Sequence, residues 1–212
     1  MELDSGGMKV YALPAGLAAM PPPLGDHLTG LSESEFFMLD QSALLLLVKA
    51  FKDQQLSESE FYQQLTETIT AALECSRASL WLYSDALLNE IVALDLYDST
   101  SDRHFQGIAL HEDDFSPYFE AMRNDGGIDA PYAMEHSATS CFTEAYFEPN
   151  DIYSLLDVGI RYSGQLVGVF CCENVGEVML WTEQQKAYLD QAGKLITFAL
   201  KPALQQKFAA LF

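Results

Sequence analysis

Basic side chains are scarce in this chain: 11 Lys and Arg stand against 31 Asp and Glu, for a formal net charge of −20 over 212 residues. A surface that acidic repels phosphate backbones and anionic headgroups, so neither nucleic acid nor a membrane is an expected partner. Cysteine is sparse too. Cys75, Cys141, Cys171 and Cys172 make no CxxC pair and no secreted-scaffold spacing. Cys171 and Cys172 are adjacent in an expected strand and point to opposite faces, so they do not bridge each other. Reduced thiols in a cytoplasmic protein are the expectation. Long hydrophobic runs are missing: Ala43–Val48 is far too short to span a bilayer. Glu2 and Asp4 break any basic-then-apolar leader. What remains is 49% apolar residues, enough for one well-buried core with attachments.

Residues 1–30 hold Pro21-Pro22-Pro23, several glycines and no periodicity, and read as an extended or disordered arm. Two similar segments follow, Leu31-Ser-Glu-Ser-Glu-Phe36 and Leu56-Ser-Glu-Ser-Glu-Phe61. Each is a capping box: Ser32 or Ser57 accepts from the amide three residues on, and Glu35 or Glu60 reaches back. Helices are therefore expected over about 33–52 and 58–75. The first is apolar almost all round and needs cover on more than one side, which marks 31–55 as a dimer contact. Strands are expected at Ala78–Tyr83, Glu90–Leu96 and Phe105–Leu110. A helix over Asp113–Asn124 follows, with Glu112-Asp113-Asp114 as its first turn, and then an irregular region, 125–151. Thr182 and Gln185 open a last helix with another capping box, and Pro202 ends or kinks it, leaving 203–212 as a tail or helix extension.

The stretch Ser154–Thr182 is the most specific part. Ser154–Tyr162 and Gln165–Glu173 are two strands around a Ser163-Gly164 turn; a loop with Gly176 then leads to Trp181-Thr182. Together with Ala78–Tyr83, Tyr118–Arg123, Ser154–Ile160 and Leu166–Cys171, this order closely resembles GAF domains of bacterial signalling proteins, with the domain over 56–202. The resemblance implies an α+β fold of the GAF/PAS-like kind. Its roughly six-stranded antiparallel sheet carries the N- and C-terminal helices on one face and a lid region on the other. It also implies a small-molecule cavity, where one exists, under that lid. Relatives carry an Asp-Ala pair and then Asp-Pro-Arg-Thr in the lid. Here the pair is Asp129-Ala130, and only the Thr persists in His136-Ser137-Ala138-Thr139. No bilin-attaching cysteine context and no cyclic-nucleotide signature are present, and no cofactor is named by the sequence.

A plain two-residue hairpin puts Leu156, Val158 and Ile160 on one face with Val167, Val169 and Cys171, beneath the helices. The other face then carries Asp157, Gly159, Phe170 and Cys172, joined by Ser79, Trp81 and Tyr83, with Gly159 opposite Gly168. Two readings of that glycine pair stand open: a gap that receives a ligand, or room for a loop or helix to pack closely. The candidate ligand-binding set is Trp81, Tyr83, Tyr118, Asp129, His136, Cys141, Tyr146, Asp157, Phe170 and Cys172. No catalytic residue and no metal ligand is assigned; His104, His111 and His136 lack ligand spacing. Cys141 opens a short expected helix, Cys141–Phe147, where a lowered pKa is open to it, yet no second thiol or His is placed to use it, so packing is its reading.

The function expected from this resemblance is a non-catalytic sensory or regulatory module in signal transduction. It would be a homodimer through its first and last helices, with a possible small-molecule ligand and a possible signalling partner protein. Two alternatives stand beside it. One is a cysteine-dependent reductase of free methionine sulfoxide, since one branch of this fold does that chemistry. The other is a ligand-free dimerisation scaffold.

Overall fold

The computed structural model describes residues 39–211, so the arm, the first capping box and residues 31–38 lie outside the described residues. Five helices are described: α1 (Ser42–Lys52), α2 (Glu58–Leu73), α3 (Ser116–Asp125), α4 (Glu183–Ala199) and α5 (Lys201–Lys207). The strands are β1 (Arg77–Tyr83), β2 (Glu90–Asp98), β3 (Arg103–Phe105), β4 (Ala109–His111), β5 (Gly127–Ala130), β6 (Ile152–Tyr162) and β7 (Gln165–Val175). They form one antiparallel sheet in the order β3-β2-β1-β7-β6-β5, with β4 also on β2.

The helices start where their caps are. Ser57 Oγ accepts from the Glu60 amide at 3.3 Å, and Glu60 Oε2 accepts from the Ser57 amide at 2.9 Å. Thr182 and Gln185 repeat that exchange at 3.2 and 2.8 Å. α2 lies on β1 and β2, α4 lies on β6, and α1 closes over α2 and α4. Their shared core includes Phe61, Leu65, Ile69, Leu80, Phe170, Leu189 and Ile196, all fully buried. Burying each such side chain contributes about 1.5–3 kcal/mol.

Several expectations need correction. α1 begins at Ser42, and Leu39–Gln41 lie outside any helix, so the expected helix over 33–52 is not continuous; its start near residue 33 falls outside the described residues. Leu44, Leu47 and Val48 are buried, whereas Leu45 and Leu46 stay 53% and 68% exposed. The expected strand Phe105–Leu110 is two short ones, because Gly107 sits at φ +74° and breaks it between β3 and β4. Glu112, Asp113 and Asp114 precede α3, which starts at Ser116 with Pro117 in its first turn; Glu112 pairs with Arg123 instead of lying on the helix dipole. The irregular region contains β5, then a run of single helical turns over Ser140–Asn150 in place of one helix. The α4 helix stops at Leu200, and α5 resumes at once with Pro202 in its first turn, burying Leu204 and Phe208.

The largest correction concerns the β6–β7 hairpin. Tyr162 faces Gln165 and Arg161 faces Leu166, as a two-residue turn requires, but Ile160 then faces Gly168. Val167 is skipped. This single bulge shifts the register by one residue, and a one-residue shift exchanges the two faces of the strand. Asp157 therefore faces Cys171, and Leu155 faces Glu173, while Phe170 and Cys172 turn under the helices with Leu80 and Ala78. The two glycines are not opposite each other. A Cβ on Gly168 would run into the Trp81 carbonyl oxygen, and one on Gly159 would meet Gly126 O at 2.8 Å. Both allow close backbone approach, the second of the two readings.

Candidate functional site

On the sheet face away from α2 and α4, a cavity of about 800 Å³ lies beneath α3, the β3–β4 segment and the helical turns 140–150. Its floor is made by alternate residues of β1, β6 and β7: Arg77 and Trp81, Leu155 and Asp157, Cys171 and Glu173. Its walls are Phe115 and Tyr118 around the start of α3, with Phe142, Tyr146 and Phe147 from the turns. These rings pack on one another: Phe115 stacks on Phe142 at 4.5 Å, and Tyr118 meets Phe142 edge-on at 5.2 Å. The Trp81 indole N–H is held by Ser79 Oγ at 2.8 Å, which fixes the ring against the floor.

Two carboxylates sit on this floor. The Tyr118 hydroxyl donates to Asp157 Oδ2 at 2.6 Å, while Asp157 Oδ1 is buried with no hydrogen bond of its own. Burial pushes the Asp157 pKa up to about 7, against the pull of the Cys171 thiol and the Tyr118 hydroxyl. The Cys171 thiol in turn is closest to a hydrogen bond with Glu173 Oε1, at 3.8 Å. Tyr146 donates to Glu173 Oε2 at 2.9 Å, and Arg77 Nη1 lies 3.9 Å from the same oxygen. Burial raises the Glu173 pKa as well, with Arg77 opposing. Arg77 is bound more closely to Asp98, at 3.1 Å, and Thr100 supplies two further donors to that carboxylate. Burial works against the Arg77 charge, but Glu173, Tyr146 and Asp98 outweigh it and hold its pKa up. Its Nε is buried without a partner. Leaving a buried polar atom unpaired costs about 1–3 kcal/mol, so the floor is a place where stability is given up.

Of the ten candidate residues, Trp81, Tyr118, Tyr146 and Asp157 line this cavity together. The other six lie elsewhere. Tyr83 shares the face of Trp81, but its ring is sealed edge-on against Phe119 of α3. Phe170 and Cys172 were carried to the helix side by the bulge, where burial and nearby Cys75 hold the Cys172 pKa up. Asp129 points the other way too and pairs with Lys186 of α4 at 2.6 Å. His136 caps a turn, its Nδ1 accepting from the Ala138 amide at 3.2 Å. Cys141 packs outside the cavity lining, half-buried, and burial raises its pKa rather than lowering it. Arg77 and Glu173 were missed. Their signal is present in the sequence: a lone charge at the edge of an apolar strand reads as exposed, yet opposite charges on neighbouring strands can be buried as a pair.

A family model for the GAF domain matches residues 57–200. The chain is a member of the GAF domain family. No curated protein matches its sequence. Solved structures share its fold at low identity. The GAF domain of an Acinetobacter phosphoenolpyruvate-protein phosphotransferase is 14% identical with a TM-score of 0.59, covering 76% of this chain and 92% of the other. The free methionine-R-sulfoxide reductase of Neisseria meningitidis, in complex with its substrate, is 13% identical with a TM-score of 0.58, covering 78% and 90%. A phycocyanobilin-bound GAF domain from a cyanobacterial phytochrome is 16% identical with a TM-score of 0.58, covering 81% and 97%. At these identities the likeness shows the GAF fold alone. Among the described residues, no helix is long and apolar enough to cross a membrane, and no group of three or more His, Cys, Asp or Glu could hold a metal ion.

Proposed function

We propose that this chain is a non-catalytic sensory GAF module that binds a small molecule between its sheet and lid. The observation that carries this reading is the cavity itself. At about 800 Å³ it falls within the usual range for small-molecule sites, and it joins aromatic walls to a few buried polar groups on the floor. The chemistry of a thiol reductase is poorly served there. Cys171 reaches the cavity, but Cys172 is on the opposite face and Cys141 is outside the lining. Burial, with Asp157 and Glu173 nearby, drives the Cys171 pKa well above the ordinary thiol range, which removes its thiolate at neutral pH.

The module acts as a homodimer in this reading, reporting occupancy to a signalling partner protein. Leu45 and Leu46 of α1 and Phe198 of α4 are all more than half exposed, and Lys52 at the end of α1 lies 5.1 Å from the Phe198 ring, so both of these packed helices carry exposed apolar side chains. A second copy presenting the same two helices would cover them symmetrically. Native mass spectrometry of the purified protein tests both points. A dimer that retains a reproducible small mass supports the sensor. An empty protein that also gains no thermal stability from a metabolite library turns the reading to a ligand-free scaffold, and thiol-dependent loss of free methionine sulfoxide turns it to the reductase.

A further inference from the structure

We propose that the ligand of this cavity is an organic ammonium, a small molecule with an aromatic body whose protonated amine donates to Asp157 Oδ1. The proposal rests on reading the cavity as a small-molecule site. Asp157 is 1% exposed and borders the cavity, and its Oδ1 is buried without a hydrogen-bond partner, so a donor that reaches the floor would supply the partner this oxygen lacks. Its other oxygen is already taken by Tyr118, so the carboxylate is oriented before any ligand arrives.

Charge selects a cation over other donors. Among the described residues lining the cavity, Arg77 carries the one permanent positive charge, and it is shared between Asp98 at 3.1 Å and Glu173 at 3.9 Å. Asp157 is left without a cation, with Glu90 and Asp114 nearer the rim. A carboxylate or phosphate ligand would be brought against these groups where little solvent screens them. A neutral amide could satisfy Oδ1 but would leave the excess negative charge uncompensated. The walls favour the same class, since the aromatic lining, Trp81, Phe115, Tyr118, Phe142, Tyr146 and Phe147, suits an apolar body, and an aromatic ring face attracts an organic cation.

The groups facing Asp157 also set a pH response. Tyr118 comes from α3, Cys171 and Glu173 from β7, Arg77 from β1 and Tyr146 from the helical turns. From β5, Ile128 is opposite Asp157, and Asp129 turns away to Lys186. Burial pushes the Asp157 carboxyl up to about 7. An ammonium binds the ionised form, so its affinity rises as that proton leaves, by roughly tenfold from pH 6 to pH 8.

The test is calorimetric titration with phenethylamine and tryptamine, alongside their N-acetyl derivatives and the matching arylpropanoates, at pH 6 and pH 8. Expected is binding of the amines at least tenfold tighter than either counterpart and tighter at pH 8. That preference should disappear in Asp157→Asn whose near-ultraviolet circular dichroism is unchanged. The proposal is overturned if the acetylated or anionic compounds bind as well as the amines, if amine affinity is flat with pH in the unaltered protein, or if no amine binds. The retained mass in native spectrometry separates the two readings. A co-purified neutral or anionic molecule sinks only the ammonium, whereas an empty protein that takes none of the compounds sinks the sensor as well.

Discussion

Replacing Asp157 with Asn should make the protein more stable at pH 8 while leaving that advantage absent at pH 5. Burial lifts this carboxyl from an ordinary 3.8 to about 7, a difference worth on the order of 4 kcal/mol between its two protonation states. Because the folded state holds the proton more tightly than the unfolded chain, the stabilisation is complete below about pH 4. It is lost as pH rises through the folded value near 7. Between pH 5 and pH 8 the parent therefore loses roughly 2.5 kcal/mol that a non-titrating side chain does not. Asn keeps an oxygen for the Tyr118 hydroxyl but puts an amide group where Oδ1 stands without a partner, at a cost of about 1–3 kcal/mol at every pH. The variant should thus equal or trail the parent at pH 5 and exceed it by about 1–3 kcal/mol at pH 8. Urea denaturation followed by tryptophan fluorescence at pH 5, 6, 7 and 8 reads this directly and stays clear of the isoelectric point near 4.2. Parallel stability profiles for the two proteins would refute the reasoning, since every other titrating group is common to both. The expected outcome places a cost on keeping an ionisable carboxyl here, the pattern of a residue retained for function.

Other perturbations separate packing from charge. Arg77→Met should destabilise by about 3–5 kcal/mol in urea, because it strands the buried carboxylates of Asp98 and Glu173; adding Glu173→Gln should recover part of that loss, and strict additivity would show the pair to be uncoupled. Gly168→Ala should cost at least about 2 kcal/mol, as the new methyl meets the Trp81 carbonyl of β1; a thermal midpoint unchanged from the parent would disprove that close approach. Leu46→Glu, at an exposed position, should shift stability by less than about 0.5 kcal/mol yet convert a dimer to a monomer in light scattering. A mutant that stays dimeric removes α1 from the interface.

Local chemistry made much of the fold legible. Ser57 with Glu60 and Thr182 with Gln185 are capping boxes whose partners lie three residues apart, so no distant contact is needed to form them. The Ser163-Gly164 turn is equally local, and with φ values of +49° and +87° it adopts the conformation that joins two antiparallel strands directly. Alternation placed Trp81 on the open face of β1 correctly, because that strand runs without a bulge along β7. The same rule failed at Phe170 and Cys172. Within Gln165–Glu173 only Gly168 hints at a bulge, and the close approaches at Gly168 and Gly159, to the Trp81 carbonyl of β1 and to Gly126, are tertiary.

By itself, then, the sequence determined the starts of α2 and α4, the hairpin turn, the family and the acidic balance, all of which arise from neighbours along the chain or from composition. Only the tertiary structure decided which face of β7 meets the cavity, and with it the replacement of Phe170 and Cys172 by Cys171 and Glu173. It also decided that Asp129 serves Lys186, and that Arg77, Asp98 and Glu173, up to 96 positions apart in sequence, share one buried charge network. The physical reason is the same in each case. A strand's faces are exchanged by one residue of register, and the polarity of a buried site depends on which distant charges that register brings within a few ångströms.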